Sequence, residues 1–341
     1  MPTSDGPIVT IGEAMIALYP DGRHSLAEAR SFGSDVGGAE FNVATTLARL
    51  GIPSAWVSRL GDDGFGDRIL TVAAEAGVDT SAVERDAGRA TGLYVKEPTT
   101  GADGVRTRMH YYRSGSAASA LDSSQLGSAP AAALLTRAAI VHTSGITAAL
   151  SASTAEAVAG LRAAVGAGTV VSVDLNLRPQ LWRDRDTAPL GALIDQADLL
   201  LVGRDEAVTH FGHAEAADIF DAHPGLSTIV VKDEAHRASV YRREGRETHV
   251  PCLTVEVVEP VGAGDAFAAG FLAALAEGRE DAVALRFGHA LASLTLIGHG
   301  DRPLTVPTAG ERERIAAATE DEWAGWRVHP GEIPWREASG A

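Results

Sequence analysis

The residues best suited to chemistry lie in the stretch Glu259-Pro260-Val261-Gly262-Ala263-Gly264-Asp265-Ala266-Phe267. Gly262, Ala263 and Gly264 make a tight turn. After it, Phe267, Gly270, Phe271, Ala274 and Leu275 recur at helical spacing, so Asp265 falls in the first turn of a helix. The first N–H groups of a helix lack internal partners and attract anions, and small residues let a phosphate approach the backbone. A carboxylate beside such a nest can take a proton from a nucleophile while the N–H groups hold the charge that moves. This pattern suits phosphoryl transfer to an alcohol. The same residues also fit plain helix capping, since Asp favours first turns and Gly favours tight turns. A dinucleotide fingerprint stops short, because Phe267 stands where the third Gly is needed. A P-loop is excluded: the only lysines are Lys96 and Lys232, and neither follows Gly in that motif.

The elements that must position this stretch come from alternating patterns. Pro7 to Leu18 reads as a first strand and Arg30 to Val36 as a second. Gly37 and Gly38 then precede a helix with apolar Phe41, Ala44, Leu47 and Ala48; they fit a turn or a close approach of backbone to ligand. Asn42 can both donate and accept hydrogen bonds. Asp62, Asp63 and Asp67 lack the spacing of a calcium loop and read as loop and helix-start acids. Leu93 to Glu97 and Val105 to Tyr112 form a hairpin around the turn-rich Pro98 to Gly104. It interrupts the αβ alternation and reads as a small lid sheet that excludes water. Arg113 follows at the seam between lid and core, where a guanidinium suits a carboxylate; Tyr94 and Tyr111 or Tyr112 are the lid contacts. Short β-branched or Leu-rich runs at 140–143, 170–174, 199–202 and 228–231 predict a parallel sheet covered on both faces. Ligands of such sheets sit at the carboxyl ends of strands, where Asp174, Asn176 and Arg178 lie.

Composition narrows the partners. The 341 residues carry 29 Lys and Arg against 45 Asp and Glu, a net charge of −16, which argues against nucleic acid or an anionic membrane. One cysteine, Cys252, excludes an internal disulfide. No leader pattern is evident, so the cytoplasm is the default compartment.

Val261 to Gly270 resembles the signature of the ribokinase-like (PfkB) family of carbohydrate kinases, and Gly37 to Asp67 resembles that family's N-terminal signature. The resemblance spans about residues 8 to 308. It implies a ribokinase-like α/β fold: a mainly parallel sheet, helices on both faces and a small β-sheet lid. The kinase domain would cover residues 1–310, with lid strands within about 12–36 and 90–113, followed by a Trp-rich extension at 311–341. It further implies ATP-dependent phosphorylation of a primary hydroxyl, with Asp265 as base and the N–H groups of Gly262, Ala263 and Gly264 as anion hole. Gly37, Gly38, Asn42 and Arg178 would meet the sugar. Asn176, Lys232, Gly264 and His289 would border the nucleotide, and Glu206 would organise Mg2+ through water. A monovalent cation such as K+ belongs near the anion-hole loop in this family, though no residue here identifies it. Tyr111 to Leu121, with His142 to Ile146, looks most like 2-keto-3-deoxygluconate kinases and also like some fructokinases. The exposed lid points to a homodimer or higher homo-oligomer. Departures from the family pattern are Gly203 in place of Asn, and Glu234 and Arg237 at small positions beside the nucleotide. They leave a catalytically weak sugar-binding protein as an alternative.

Overall fold

The computed structural model describes residues 5–22, 25–101, 104–183 and 185–336. Among the described residues, thirteen strands make the two main sheets. They are β1 (Ile8–Ile11), β2 (Met15–Pro20), β3 (Phe32–Gly37), β4 (Ser54–Gly61), β5 (Val83–Asp86), β6 (Leu93–Gly101), β7 (Gly104–Tyr112), β8 (Ile140–Ser144), β9 (Val170–Asp174), β10 (Leu199–Gly203), β11 (Thr228–Asp233), β12 (Arg237–Arg242) and β13 (Glu247–Pro251). The large sheet runs β13-β12-β11-β10-β9-β8-β1-β4-β5. From β11 to β5 every pairing is parallel, and β12 and β13 close the far edge as antiparallel hairpins. Alternation of side chains sorts the strands onto two cores. Val9, Ile11, Val141, Val173, Leu200 and Val202 face one helical layer. Ile8, Ile140, Leu199, Leu201 and Val230 face the other, which holds the helices Ala39–Arg49, Ala263–Ala276 and Asp281–Leu296. Burial on both faces explains why these strands read as continuous apolar runs.

Strand β1 pairs with β4 on one side and β8 on the other, so the order of winding reverses there. A crevice opens at such a switch point beyond the carboxyl ends of the strands. The lid, ordered β3-β2-β6-β7, covers it. The predicted first strand is in fact two: β1 belongs to the large sheet, β2 to the lid, and Gly12, Glu13 and Ala14 carry the chain across. The lid hairpin is also longer than its sequence suggested, since Pro98 pairs with Thr107 and Gly101 with Gly104. Pro98 is tolerated because β2 pairs with β6 only as far as Val95. Asp63 caps the helix Gly64–Ala76 by accepting from Gly66 N, as expected of a helix-start acid. Ahead of the turn at Gly262, Thr254–Val255 pairs with Arg327–Val328, while Val257 and Val258 are exposed. The last segment packs on the second core, with Trp323 and Trp335 buried.

Candidate active site

A cavity of about 610 Å³ lies between the lid and the carboxyl edge of the sheet, a size that suits a small ligand. Asp265 lines it from the first turn of helix Ala263–Ala276. Gly262 starts that helix with φ 82°, a left-handed conformation, and a Cβ there would overlap the carbonyl of Asp301 behind it. Asn42, from helix Ala39–Arg49, donates from Nδ2 to Asp265 Oδ2 at 2.8 Å. Burial pushes the Asp265 carboxyl up from 3.8 to about 7, with Asp174 and Glu40 adding to the rise against the Asn42 hydrogen bond and Arg178. A carboxyl poised near neutrality suits a general base. Beside it, the N–H groups of Gly264 and Asp265 lie in the first turn, beyond reach of any helical carbonyl.

Charged groups ring this turn. Lys232, at the end of β11, bonds Asp174 Oδ2 at 2.8 Å. Burial lowers the ammonium's pKa, but Asp174 and Glu206 outweigh burial and hold it above the usual lysine value. Asn176 adopts φ 38°, rare for a non-glycine residue, and lines the cavity. The Oδ1 atoms of Asn42 and Asn176 are buried without a hydrogen-bond partner among the described residues. Arg178 is half exposed and lies 3.8 Å from Glu206 Oε1. Glu206 Oε2 accepts from Gly203 N at 3.0 Å, capping helix Arg204–Phe211.

On the lid face, Met15, Tyr94, Met109 and Tyr111 look into the cavity. Tyr94 donates to Asp301, and burial with that carboxylate pushes its phenol far above the usual value. Arg113 lines the seam but is ion-paired with Glu13, which also accepts from Ser116. Arg113 is therefore not the free cation that the sequence suggested; its Nε still lacks a partner among the described residues.

Three sequence-based assignments change. Tyr112 alternates onto the opposite face of β7 from Tyr111 and is 62% exposed, outside the cavity. His289 is a core histidine: it meets Val250 O at 3.1 Å and packs edge-on against Phe267, and burial lowers its pKa to about 4. Gly37 does not line the cavity; a Cβ there would collide with the Tyr94 hydroxyl and Asp301. Gly38, at φ 155°, does line it, where a Cβ would strike the Glu13 carbonyl. Glu234, in the β11–β12 turn, and Arg237, at the start of β12, are exposed and are not among the cavity-lining residues. The structure adds Glu13, Glu40 and Arg108 to the lining. Glu40 accepts from Ser144 at 2.6 Å and Thr147 at 2.8 Å, and burial keeps its carboxyl above the usual range despite both hydroxyls. Its only signal in the sequence was its place two residues before Asn42.

Moving a phosphoryl group to a hydroxyl calls for a base next to a nest for anions, and a lid keeps water from taking the group instead; the class is that of phosphotransferases acting on an alcohol. Residues 6–309 match the pfkB family of carbohydrate kinases, and the chain belongs to that family. It is 33% identical to a 2-dehydro-3-deoxygalactonokinase of Haloferax volcanii, over 90% of this chain and 96% of the relative. A 2-dehydro-3-deoxygluconokinase of Bacillus subtilis is 32% identical, over 91% and 94%. Fructokinase-1 of Oryza sativa subsp. japonica is also 32% identical, over 89% and 95%. Among solved structures, a PfkB protein from Polaromonas sp. JS666 superposes with a TM-score of 0.77 at 32% identity, over 92% of this chain and 99% of that one. A fructokinase from Xylella fastidiosa with bound ATP gives 0.77 at 26%, over 91% and 97%.

Proposed function

We propose that this sugar kinase transfers the γ-phosphoryl group of ATP to the C6 hydroxyl of 2-keto-3-deoxygluconate. The observation that carries the chemistry is Asp265, held by Asn42 beside an open helix start and poised near neutral pH. Asp265 takes the proton of the primary hydroxyl as the new O–P bond forms and the bond to the departing ADP oxygen breaks. The N–H groups of Gly264 and Asp265 hold the charge on the moving group, since the Ala263 N–H is taken by Pro260 O at 3.4 Å, and Lys232 stands close to Gly264. Among the described residues no three His, Cys, Asp or Glu side chains gather as a metal cage. Mg2+, which neutralises phosphate charge when bound, would therefore rely on the phosphates and water, with Glu206 as the outer carboxylate. The unpartnered Asn176 Oδ1 suits a ligand that brings its own donors.

For the acceptor, Arg113 and Arg178 line a cavity in a protein of net charge −16, so local guanidinium groups must offset a substrate carboxylate. We keep Arg113 as the principal contact through its unpartnered edge, with Tyr94 and Tyr111 against the sugar. Pairing of Arg113 with Glu13 favours a second reading, a fructokinase, because a neutralised guanidinium gives less advantage to an acid. ATP consumption across a panel of sugar acids and neutral sugars decides between them. Activity confined to neutral sugars refutes the first reading; no activity on any sugar favours a binding protein. We also treat residues 311–341 as an extension of a kinase unit of residues 1–310, its described part packed on the second core, and the chain as a homo-oligomer, which light scattering tests.

A further inference from the structure

A cross-strand row, with Lys96 next along the same face, links the lid to the loop beneath the anion-binding turn. Asp35, Ala17, Tyr94 and Tyr111 are direct partners across β3, β2, β6 and β7, so they share one face. Lys96 lies two residues after Tyr94 on that face. From this face Asp35 accepts from Arg302 at 2.8 Å and Tyr94 donates to Asp301. Lys96 Nζ meets Asp301 Oδ1 at 2.6 Å and Glu259 Oε1 at 3.0 Å. Glu259 and Asp301 lie on two different loops, one leading into Gly262 and the other backing it. Glu259 N also donates to Leu296 O at 3.2 Å, at the end of the helix that precedes the 301 loop. Asp301 presses its carbonyl against Gly262, where no side chain would fit.

We propose that Lys96 is a positioning residue for phosphoryl transfer: a lid-borne ammonium that clamps the 259 and 301 loops together and so sets the shape of the turn at Gly262–Asp265. It rests on the assignment of that turn to the phosphoryl group. Lys96 does not touch the reacting atoms. It acts through Asp301, whose main chain supports the first residue of the turn. A lysine buried between two carboxylates on separate loops does more than cap a strand, because its loss leaves two close negative charges behind the site where negative charge must be bound. The lid then has two tasks with one device: it covers the sugar and fixes the anion hole as it does so.

The test is Lys96→Met, with kcat and KM measured on whichever sugar the wild-type enzyme uses and the sugar Kd measured by calorimetry. The expected result is a fall in kcat of about 10- to 100-fold, the worth of a charge-assisted contact, with the sugar Kd changed less than about threefold. Ammonium chloride should restore part of the loss, where sodium chloride at equal ionic strength does not, because a small donor cation can enter the vacated space. A kcat within about twofold of wild type overturns the proposal, as does a loss confined to sugar affinity. If Lys96→Met does not fold, Glu259→Gln keeps the shape and removes one charge. It should lower kcat by about 3- to 10-fold, and an unchanged kcat overturns the proposal equally. A wild-type chain with no turnover on any sugar defeats the functional reading itself; wild-type turnover with unimpaired variants defeats only the Lys96 assignment.

Discussion

Replacing Asp265 by Asn tests the centre of the mechanism. The carboxyl titrates near 7 because burial, Asp174 and Glu40 disfavour its charge more than Asn42 and Arg178 favour it. A base must be ionised, so kcat/KM of the free enzyme should rise with pH through about 7. At pH 6 about one-tenth of the carboxyl is ionised and at pH 8 about nine-tenths, so the rate should grow by roughly tenfold between them. Asp265→Asn should lose about 10²–10⁴-fold at pH 8 and lack this limb, so its deficit shrinks by about tenfold at pH 6. Asn42→Ala removes a hydrogen bond to the carboxylate and should move the limb to higher pH. Stability gives an independent readout. The folded-state pKa is raised, so the native protein binds this proton more tightly than the unfolded chain does. That contribution is fully present below about pH 4 and is lost as pH rises through about 7. Asp265→Asn should therefore be more stable than wild type at pH 8 and no more stable at pH 4, as read by denaturant melts. A flat pH profile in the wild type between 6 and 8, or a variant within tenfold of it at pH 8, refutes the base assignment.

Other outcomes follow from particular contacts. Arg113→Ala should cost a sugar acid about tenfold in kcat/KM, at the low end for a charged hydrogen bond because Glu13 already engages the guanidinium; an equal loss on a neutral sugar would make Arg113 a hinge brace. Glu234→Gly relieves a non-glycine residue at φ 43° and should raise stability by roughly 1 kcal/mol. ATP affinity should hold, since Glu234 is exposed in its turn; tighter ATP binding would mean that this side chain crowds the nucleotide. Trp335→Ala removes a fully buried side chain and should cost about 3–5 kcal/mol by chemical denaturation, whereas a loss below about 1 kcal/mol would mean that the segment is only loosely docked.

What the sequence revealed depended on whether the controlling contacts were local. The helix start at Gly262 and Asp265 was legible, because a tight turn and a helical period are both written in adjacent residues. The strand β10 was legible because it is apolar on both faces. Strands β1 and β2 ran together in the reading because the crossing at Gly12-Glu13-Ala14 has no breaker stronger than one glycine. Tyr111 and Tyr112 could not be told apart until the register of β7 fixed which face looked inward. His289 sits on a helix whose buried side faces Phe267 and Trp323, a matter of packing between distant segments. Glu13 neutralises Arg113 across 100 residues of sequence, and Lys96 finds Glu259 and Asp301 across more than that. Partnerships of this kind leave no periodic trace.

The scarcity of lysine has a practical side. Lys96 and Lys232 are the chain's only lysines, and each is paired with a carboxylate at the site, which holds its ammonium above the usual lysine value. The other basic side chains are arginines and histidines; Lys96 is buried, whereas Lys232 lines the cavity with its side chain 19% exposed. A reagent that acylates the Lys96 side chain must wait until the lid lifts and its ion pairs part. Slow modification of Lys96, mapped by mass spectrometry apart from Lys232 and the α-amine, is thus a clock for lid opening built into the native protein, with no engineered probe.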